Sequence, residues 1–509
     1  MPPEPDTGLK FSFSEMDVQN CVVTHRPKHP SGYPCPQGQR RIACIFVAVY
    51  FEFHGLTSEK ETVMTNDDLV KRLKKDDIKF VSFQFTDVNG VVKSVDGPIS
   101  KVEKALEDGI WFDGSSVEGF ARIQESDMRL VIDPDTYAIL PWTPTEMKRA
   151  RVLCDIYLPN GEPFEGDPRG VLKRRLARLQ QERGFVLNVG PEPEFFLFLQ
   201  NGGETVRPVP HDVGGYFDFS ANDEAVQVRT ELMSALDEMG LEVEMGHHEV
   251  ALGQHEIDFH FADALKTADN VLTLKYAVKA IAAQHGLIAS FMPKPVFGIN
   301  GSGMHCHQSI SNQQGDNLFF DPQDPFKLSQ LAYQYIAGQL HHAKALSAIL
   351  APTVNSYKRL VPGYEAPVYI GWAQVNRSAL IRIPQPMPDD GDTVRIELRC
   401  PDPSTNPYLA FNAMLAAGLD GIDRGLTCPQ PLNRMNVYEL SADERREHGI
   451  EMLPGSLYEA LRAFEDDPLI QDALGDFLTE AFLTARRTEW EEFRTQVTDW
   501  ELRRYLTTS

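Results

Sequence analysis

Cysteine is scarce in this 509-residue chain, and its placement excludes a disulfide-stapled fold. Cys21, Cys35, Cys44, Cys154, Cys306, Cys400 and Cys428 are odd in number and contain no Cys-x-x-Cys pair, so no cysteine zinc site is expected either. They fit a reducing, cytoplasmic setting. Positive charge is also short: 49 Lys and Arg stand against 73 Asp and Glu, a formal net charge of −24. Without a cationic excess to displace counterions from a polyanion, nucleic acid is not an expected partner. Long apolar runs are missing too. The densest, residues 42–53, falls well short of the roughly 20 residues that cross a bilayer as a helix. It follows Gln39-Arg40-Arg41 but starts too far along the chain, and lacks the small-residue cleavage site, for a secretion signal. No membrane segment is expected. What is present is 42% hydrophobic residues, enough for a large core and two or more domains.

Three regions are expected. Residues 1–63 are rich in Pro, Gly and isolated Cys without a sustained period, and read as an atypical, disordered extension or a mis-assigned start, with Met64 an alternative one. Residues 64–165 read as a small, mostly β domain. Asn66-Asp67-Asp68 caps a helix bearing Leu69, Val70 and Leu73, a strand opens over 80–85, and Asp87-Val88-Asn89-Gly90 is a hairpin signal. Residues 166–509 alternate strands with amphipathic helices. Val228, Leu232, Ala235, Leu236 and Met239 keep helical spacing up to Gly240; Leu241, Val243 and Met245 then alternate with Glu242 and Glu244 as in a strand. Ser456-Leu457-Tyr458-Glu459 is a capping-box pattern opening a helical C-terminus.

Five distant segments carry chemistry. In a strand Glu192 and Glu194 share a face, and two adjacent carboxylates are costly without a cation beside them. Glu249 and Glu256 are seven apart, on opposite faces of a straight strand, but Gly253 permits a turn that brings both inward. Asn300-Gly301-Ser302-Gly303 allows close approach to the main chain, after which His305 and His307 share a strand face. Arg395, Glu397 and Arg399 alternate onto one face. Arg359, Arg377 and Arg382 suit bidentate recognition of carboxylate and phosphate. Glu365, between Pro362-Gly363-Tyr364 and Ala366-Pro367, sits in a loop able to act as a lid. Singly, each segment also has a structural reading: a solvated strand face, structural imidazoles at His247-His248, an ion-pair ladder or a surface turn. Together they point to divalent cations, phosphate and an acidic substrate.

From Met64 to Ser509 the chain resembles glutamine synthetase of the type I, bacterial and archaeal class. The resemblance is carried by Phe112-Asp113-Gly114-Ser115-Ser116, Glu125-Ser126-Asp127-Met128, the Glu192/Glu194 segment, Phe291-Met292-Pro293-Lys294-Pro295, Asn355-Ser356-Tyr357-Lys358-Arg359 and Asn406-Pro407-Tyr408. It implies an α+β fold, a β-grasp domain followed by a catalytic domain with an antiparallel sheet and flanking helices. It also implies a dodecamer of two stacked hexamers with active sites between subunits. By that resemblance Glu194, Glu249 and Glu256 hold one Mg2+, and Glu192, His305 and Glu397 a second, Mn2+ being a usable substitute. Asn300, Gly301, Arg359, Glu365 and Arg399 bind L-glutamate, with Arg377 serving glutamate and phosphate. Glu244, His307, Ser309, Arg382 and Arg395 line the ATP site. Asp87 reaches into a neighbour's site to bind and deprotonate ammonium. The implied reaction is ligation of ammonia to glutamate through γ-glutamyl phosphate.

One departure concerns the nucleotide, and two further features bear on regulation. Asp392 stands where some type I enzymes carry a nucleotide-contacting lysine. Tyr438 resembles the tyrosine that some members adenylylate, but residues 441–453 resemble the subgroup not so regulated. Arg122 fits the place of an arginine linked there to feedback inhibition by glutamine. The alternatives are a ligase of the same family joining glutamate to an amine or polyamine, a non-catalytic scaffold with this fold, against which all six metal-ligand positions being Glu or His speaks, and a glycosidase using the Glu192/Glu194 pair.

Overall fold

A helix over Asn66–Lys75 opens the β-grasp domain, held at its start by Thr65 rather than by the expected Asn66. Thr65 Oγ1 accepts from Asp68 N at 3.2 Å, and the Asp68 carboxylate returns to Thr65 N at 3.4 Å, so two orphan N–H groups are satisfied reciprocally. The computed structural model describes residues 63–117, 127–200, 207–219, 224–374, 376, 379–387, 391–433 and 437–508. The N-terminal extension up to residue 62, and both Arg122 and Arg377, lie outside them.

Five strands form the first sheet: β1 (Phe80–Thr86), β2 (Val92–Pro98), β3 (Ile110–Asp113), β4 (Asp127–Ile139) and β5 (Arg149–Tyr157). Their order is β2-β1-β5-β4-β3, with β1 and β5 parallel and the other pairs antiparallel. The Asp87–Gly90 turn joins β1 to β2 as expected, with Gly90 at φ +76°, a conformation that favours glycine. The helices over 66–75 and Val102–Asp108 seal one core through Leu69, Leu73, Val102, Val81 and Val152.

The larger sheet has nine strands: β6 (Phe185–Leu199), β7 (Val243–His248), β8 (Gln254–Phe259), β9 (Ala262–Asp263), β10 (Leu287–Ser290), β11 (Met304–Asn312), β12 (Tyr369–Ala373), β13 (Ala379–Arg382) and β14 (Ile396–Leu398). Its main path runs β12-β13-β14-β11-β6-β8-β7, antiparallel except for the parallel β12–β13 pair. The long strand β6 pairs β11 along its first half and β8 and β10 along its second. Pro191 and Pro193 mark the change of partner, since neither can donate to a ladder. Leu187, Val189, Phe195 and Leu197 turn into the core against helices 264–284 and 407–423, leaving Glu192 and Glu194 on the other face. Burial of such side chains, at roughly 1.5–3 kcal/mol each, is what fixes that face.

A buried ion network ties the two domains. Arg169 Nε and Nη2 donate to Asp269 at 3.0 and 2.9 Å, Nη1 to Asp155 at 2.5 Å and Nη2 to Asp133 at 2.9 Å, while Tyr408 Oη donates to Asp269 at 2.6 Å.

Candidate active site

Where β6 changes partner, the register brings the acidic segments together. His305 on β11 lies opposite Glu192, and Glu194 lies opposite Glu256 on β8. Gly253, at φ +70°, turns β7 into β8 as its sequence position suggests, so Glu249 and Glu256 both face a cavity of about 290 Å³. Glu192, Glu194, Glu249, Glu256 and His305 line it, with Asn300, Gly301, Arg359, Glu365, Arg382 and Arg399. Glu397 is fully buried behind the wall, its carboxylate 3.8 Å from His305 Nδ1.

The cavity has two electrostatic halves. Around Glu194 negative charge is only partly compensated: burial and then Glu249 push its carboxyl up to about 8 against Arg359, and Glu256 rises well above the usual range through burial and Glu194. Asp258, beyond them, is pushed up to about 7 by burial and Glu192. His247 Nε2 lies 2.9 Å from Glu249 and 3.6 Å from Glu256. Gln254 Nε2 donates to Glu194 at 2.6 Å. Around Glu192 the balance reverses. Against burial, His307 at 2.8 Å and His305 at 3.3 Å hold Glu192 well below its ordinary value. Burial and Arg399 lower His305 to about 4, which keeps its imidazole neutral at physiological pH.

Arginines close the second half. Arg382 Nε and Arg399 Nη1 both donate to Glu397, which against burial stays below its usual pKa because of Arg399, His307 and His305. Arg395 does not join them in a continuous ladder as its spacing suggests; its Nε donates to His307 Nδ1 at 3.2 Å. Arg359 is buried, and its guanidinium donates to the carbonyls of Cys400, Pro401 and Arg399 at 2.9, 3.2 and 3.1 Å. Ser309 continues the His305/His307 face of β11, and exposed Glu244 accepts from His260 Nδ1 at 2.8 Å.

Close approach explains the glycines. A Cβ on Gly301 meets Pro293 O at 2.1 Å, and one on Gly303 meets Arg359 Nη2 at 2.6 Å and His305 Nε2 at 3.0 Å. The loop expected to act as a lid carries backbone strain at its tip. Glu365 has φ +57°, and its carboxylate accepts from Asn300 Nδ2 at 3.3 Å. Tyr364 stacks on Lys294, Nζ 3.7 Å from the ring centroid, and Tyr438 Oη donates to Ala366 O at 3.2 Å.

Asp87, which the resemblance assigns to a neighbour's site, is fully buried within the single chain. Its Oδ1 accepts from Asn89 N and Val91 N at 3.0 and 2.9 Å, and Oδ2 faces Lys93 Nζ at 3.2 Å. The aspartate therefore caps the β1–β2 turn. Conversely, His247, Gln254, Asp258, Gly303 and Tyr216 belong to the site or its edge without having been singled out as ligands. The β7–β8 register, which sets His247 opposite Glu256, was the signal that would have found the histidine.

The chain is similar to known proteins over both of its domains. Residues 165–505 match the family model for the glutamine synthetase catalytic domain, and residues 77–159 that for its β-grasp domain. The chain is 51% identical over 451 residues to the glutamine synthetase of Methanocaldococcus jannaschii, covering 87% of this chain and 98% of that one. To the Thermus thermophilus glutamine synthetase it is 52% identical over 447 residues, covering 87% and 99%. Among solved structures, a GmaS complex with ADP superposes with a TM-score of 0.77 at 35% identity, over 86% of this chain and 99% of that one. The Plasmodium falciparum glutamine synthetase gives 0.78 at 25%, over 87% and 98%. The chain belongs to the glutamine synthetase family, of the archaeal and bacterial type.

Proposed function

We propose that the cavity between β6, β8 and β11 is the catalytic centre and that its residues divide the work as follows. The chain is an ATP-dependent ligase that joins ammonia to the side-chain carboxylate of L-glutamate, giving L-glutamine, ADP and phosphate. The observation that carries the site assignment is the facing pair Glu194 and Glu256, two carboxylates whose protonation is favoured by burial and by neighbouring carboxylates, a balance that Arg359 offsets only in part at Glu194.

That donor set fits a hard divalent cation. Glu194, Glu249 and Glu256 would hold one, and Glu192, neutral His305 and Glu397 a second, Mg2+ with Mn2+ as substitute. Bound there, such ions supply electrostatic stabilisation of phosphoryl charge. The protein's own groups do the rest. Arg382, Arg399 and Arg377 offset the negative charge that accumulates as the glutamate carboxylate attacks the γ-phosphorus and ADP departs. Asn300, Gly301 and Arg359 position the amino acid, the glycine by letting it lie against the main chain. Glu244, His307, Ser309, Arg382 and Arg395 form the nucleotide end; the ADP carried by the GmaS neighbour supports a nucleotide site in this fold. Glu365 closes over γ-glutamyl phosphate, excluding water and offering a carboxylate to ammonium, which must lose a proton before its nitrogen can attack. Asp87 would enter a neighbouring subunit's site, where it binds ammonium and helps deprotonate it, while its Oδ1 fixes the β1–β2 turn.

Assembly as a dodecamer of two stacked hexamers, a cytoplasmic location, and feedback control through Arg122 in place of adenylylation at Tyr438 belong to the same reading. Among the described residues no helix is long and apolar enough to cross a membrane. ATP-dependent phosphate release with ammonium, methylamine, ethanolamine and putrescine tests the substrate. Saturation by ammonium is expected; saturation only by an organic amine overturns it.

A further inference from the structure

The hairpin that carries Glu249 and Glu256 has a second face. Because His247 pairs with Glu256 and His248 with His255, strand alternation sends the first pair to the cavity and the second to the opposite side. There they meet His211 and Asp212. Ring centroids of His248 and His255 are 4.8 Å apart, and those of His211 and His255 5.1 Å. The ligation reaction uses none of these groups.

Hydrogen bonding fixes which ring nitrogens are available. His248 Nδ1 lies 2.6 Å from Glu249 O and His211 Nδ1 3.2 Å from Leu197 O; a carbonyl only accepts, so both Nδ1 atoms carry hydrogen. Both Nε2 atoms then face one oxygen, Asp212 Oδ2, each at 3.0 Å. Asp212 Oδ1 is held by Gly253 N–H at 2.8 Å. Histidines oriented by an Nδ1–H to a carbonyl, with Nε2 converging on a carboxylate oxygen, have the arrangement of metal ligands. Two edges of the set, from each Nε2 to Asp212 Oδ2, are 3.0 Å, close to the roughly 3.3 Å edge of a tetrahedral shell with bonds near 2.0 Å. His255 supplies a further, independent feature. Arg229 Nη1 lies 2.8 Å from its Nδ1, and arginine only donates, so His255 Nε2 carries the hydrogen. That ring is 0% exposed and Nε2 has no hydrogen-bond partner among the described residues. A ring nitrogen of His255 lies within 4.8 Å of ligand atoms of His211 and Asp212.

We propose that His211 Nε2, His248 Nε2 and Asp212 Oδ2 bind one divalent cation of the Zn2+ class, separate from the carboxylate cavity, with a solvent oxygen in the fourth position accepting from His255 Nε2–H. The mixed nitrogen and oxygen donor set favours Zn2+ over Mg2+. A cation there would take up the close approach of two ring nitrogens to one carboxylate oxygen. The ion staples segment 207–219 to the hairpin. Phe217 N–H already donates to His248 O at 3.0 Å, and Tyr216 of that segment lines the cavity, so the staple positions a wall of the catalytic site.

The full chain, stripped with chelator, is equilibrated with Zn2+ in saturating Mg2+ and desalted for metal analysis; a parallel sample is loaded with Co2+. The expected result is one Zn2+ retained per chain, ligand-field bands of four-coordinate Co2+, and retention by Glu256→Gln. His211→Gln and Asp212→Asn lower Zn2+ affinity at least about 100-fold, with circular dichroism of the stripped variants checking the fold. No Zn2+ retained against Mg2+, six-coordinate Co2+ bands in the wild type, or loss in Glu256→Gln with retention in His211→Gln overturns the proposal.

Discussion

A single methyl group at Gly303 tests how tightly the site is built. Its carbon would sit 2.6 Å from Arg359 Nη2 and 3.0 Å from His305 Nε2, so Gly303→Ala must displace an arginine already committed to three carbonyls or the His305 imidazole. A displacement near 1 Å costs about 100-fold in kcat/KM, which steady-state assay of the variant reads directly. Glu256→Gln carries an effect of mixed sign. Removing one of two facing carboxylates relieves repulsion, so the metal-free variant melts at a higher temperature than the metal-free wild type. The same change weakens Mg2+ binding at least about tenfold, and the upward shift in Tm on adding Mg2+ shrinks with it. Differential scanning calorimetry with and without Mg2+ checks both signs. Residue-level reading of the sequence went furthest where period and charge agreed: Glu192, Glu194, His305 and Glu397 converge because strand alternation is a local rule. The turn bonds of Asp87 were less legible: an aspartate two residues before Asn-Gly can bond its own turn, and its Oδ1 does so.

At the scale of elements, registers and caps decide. The turn at Gly253 was legible, since only an inward turn reconciles two carboxylates seven apart; the role of His247 was not, because it follows from which β8 residue it faces. The helix over Leu457–Glu465 makes a related point. Ser456 Oγ caps Glu459 N at 3.3 Å as expected, but the Glu459 carboxylate accepts from Gly455 N at 2.7 Å instead of closing the box on Ser456. His342 joins three helices: its Nδ1 lies 2.6 Å from Asp467, the N-cap of Pro468–Leu474, and its Nε2 3.0 Å from Asp420 in Pro407–Asp423. Burial disfavours the imidazolium, but the two carboxylates outweigh it and raise the pKa above 6.5. A raised histidine pKa contributes stability that is complete below the unfolded value and lost as pH rises through the folded one. Wild-type stability should therefore decline above pH 6.5 more than that of His342→Gln, a difference that urea titrations at several pH values measure.

For the whole molecule, the division into a small β domain and a larger mixed domain was legible from the switch in hydrophobic period, and the family matches follow the same division. The order of the nine-stranded sheet was not, because long-range pairing leaves little trace in local pattern. The joint between domains was equally silent: Arg169 reads as one more helical cation, yet it bridges Asp133, Asp155 and Asp269. Arg169→Ala leaves Asp269 with the Tyr408 hydroxyl and Asp133 and Asp155 with Lys173, and should cost about 3 kcal/mol, seen as a lower urea midpoint.

The central claim is that buried carboxylates from distant stretches gather at one cation-dependent centre where glutamate is activated. Its most direct measurement is the rate of ATP-dependent glutamine formation by wild type and by Glu397→Ala, each with and without Mg2+. Glutamine should form only in the wild type with Mg2+, with at least about a 100-fold loss in the variant. Equal rates in the two proteins, or an undiminished wild-type rate after Mg2+ is removed, would contradict it.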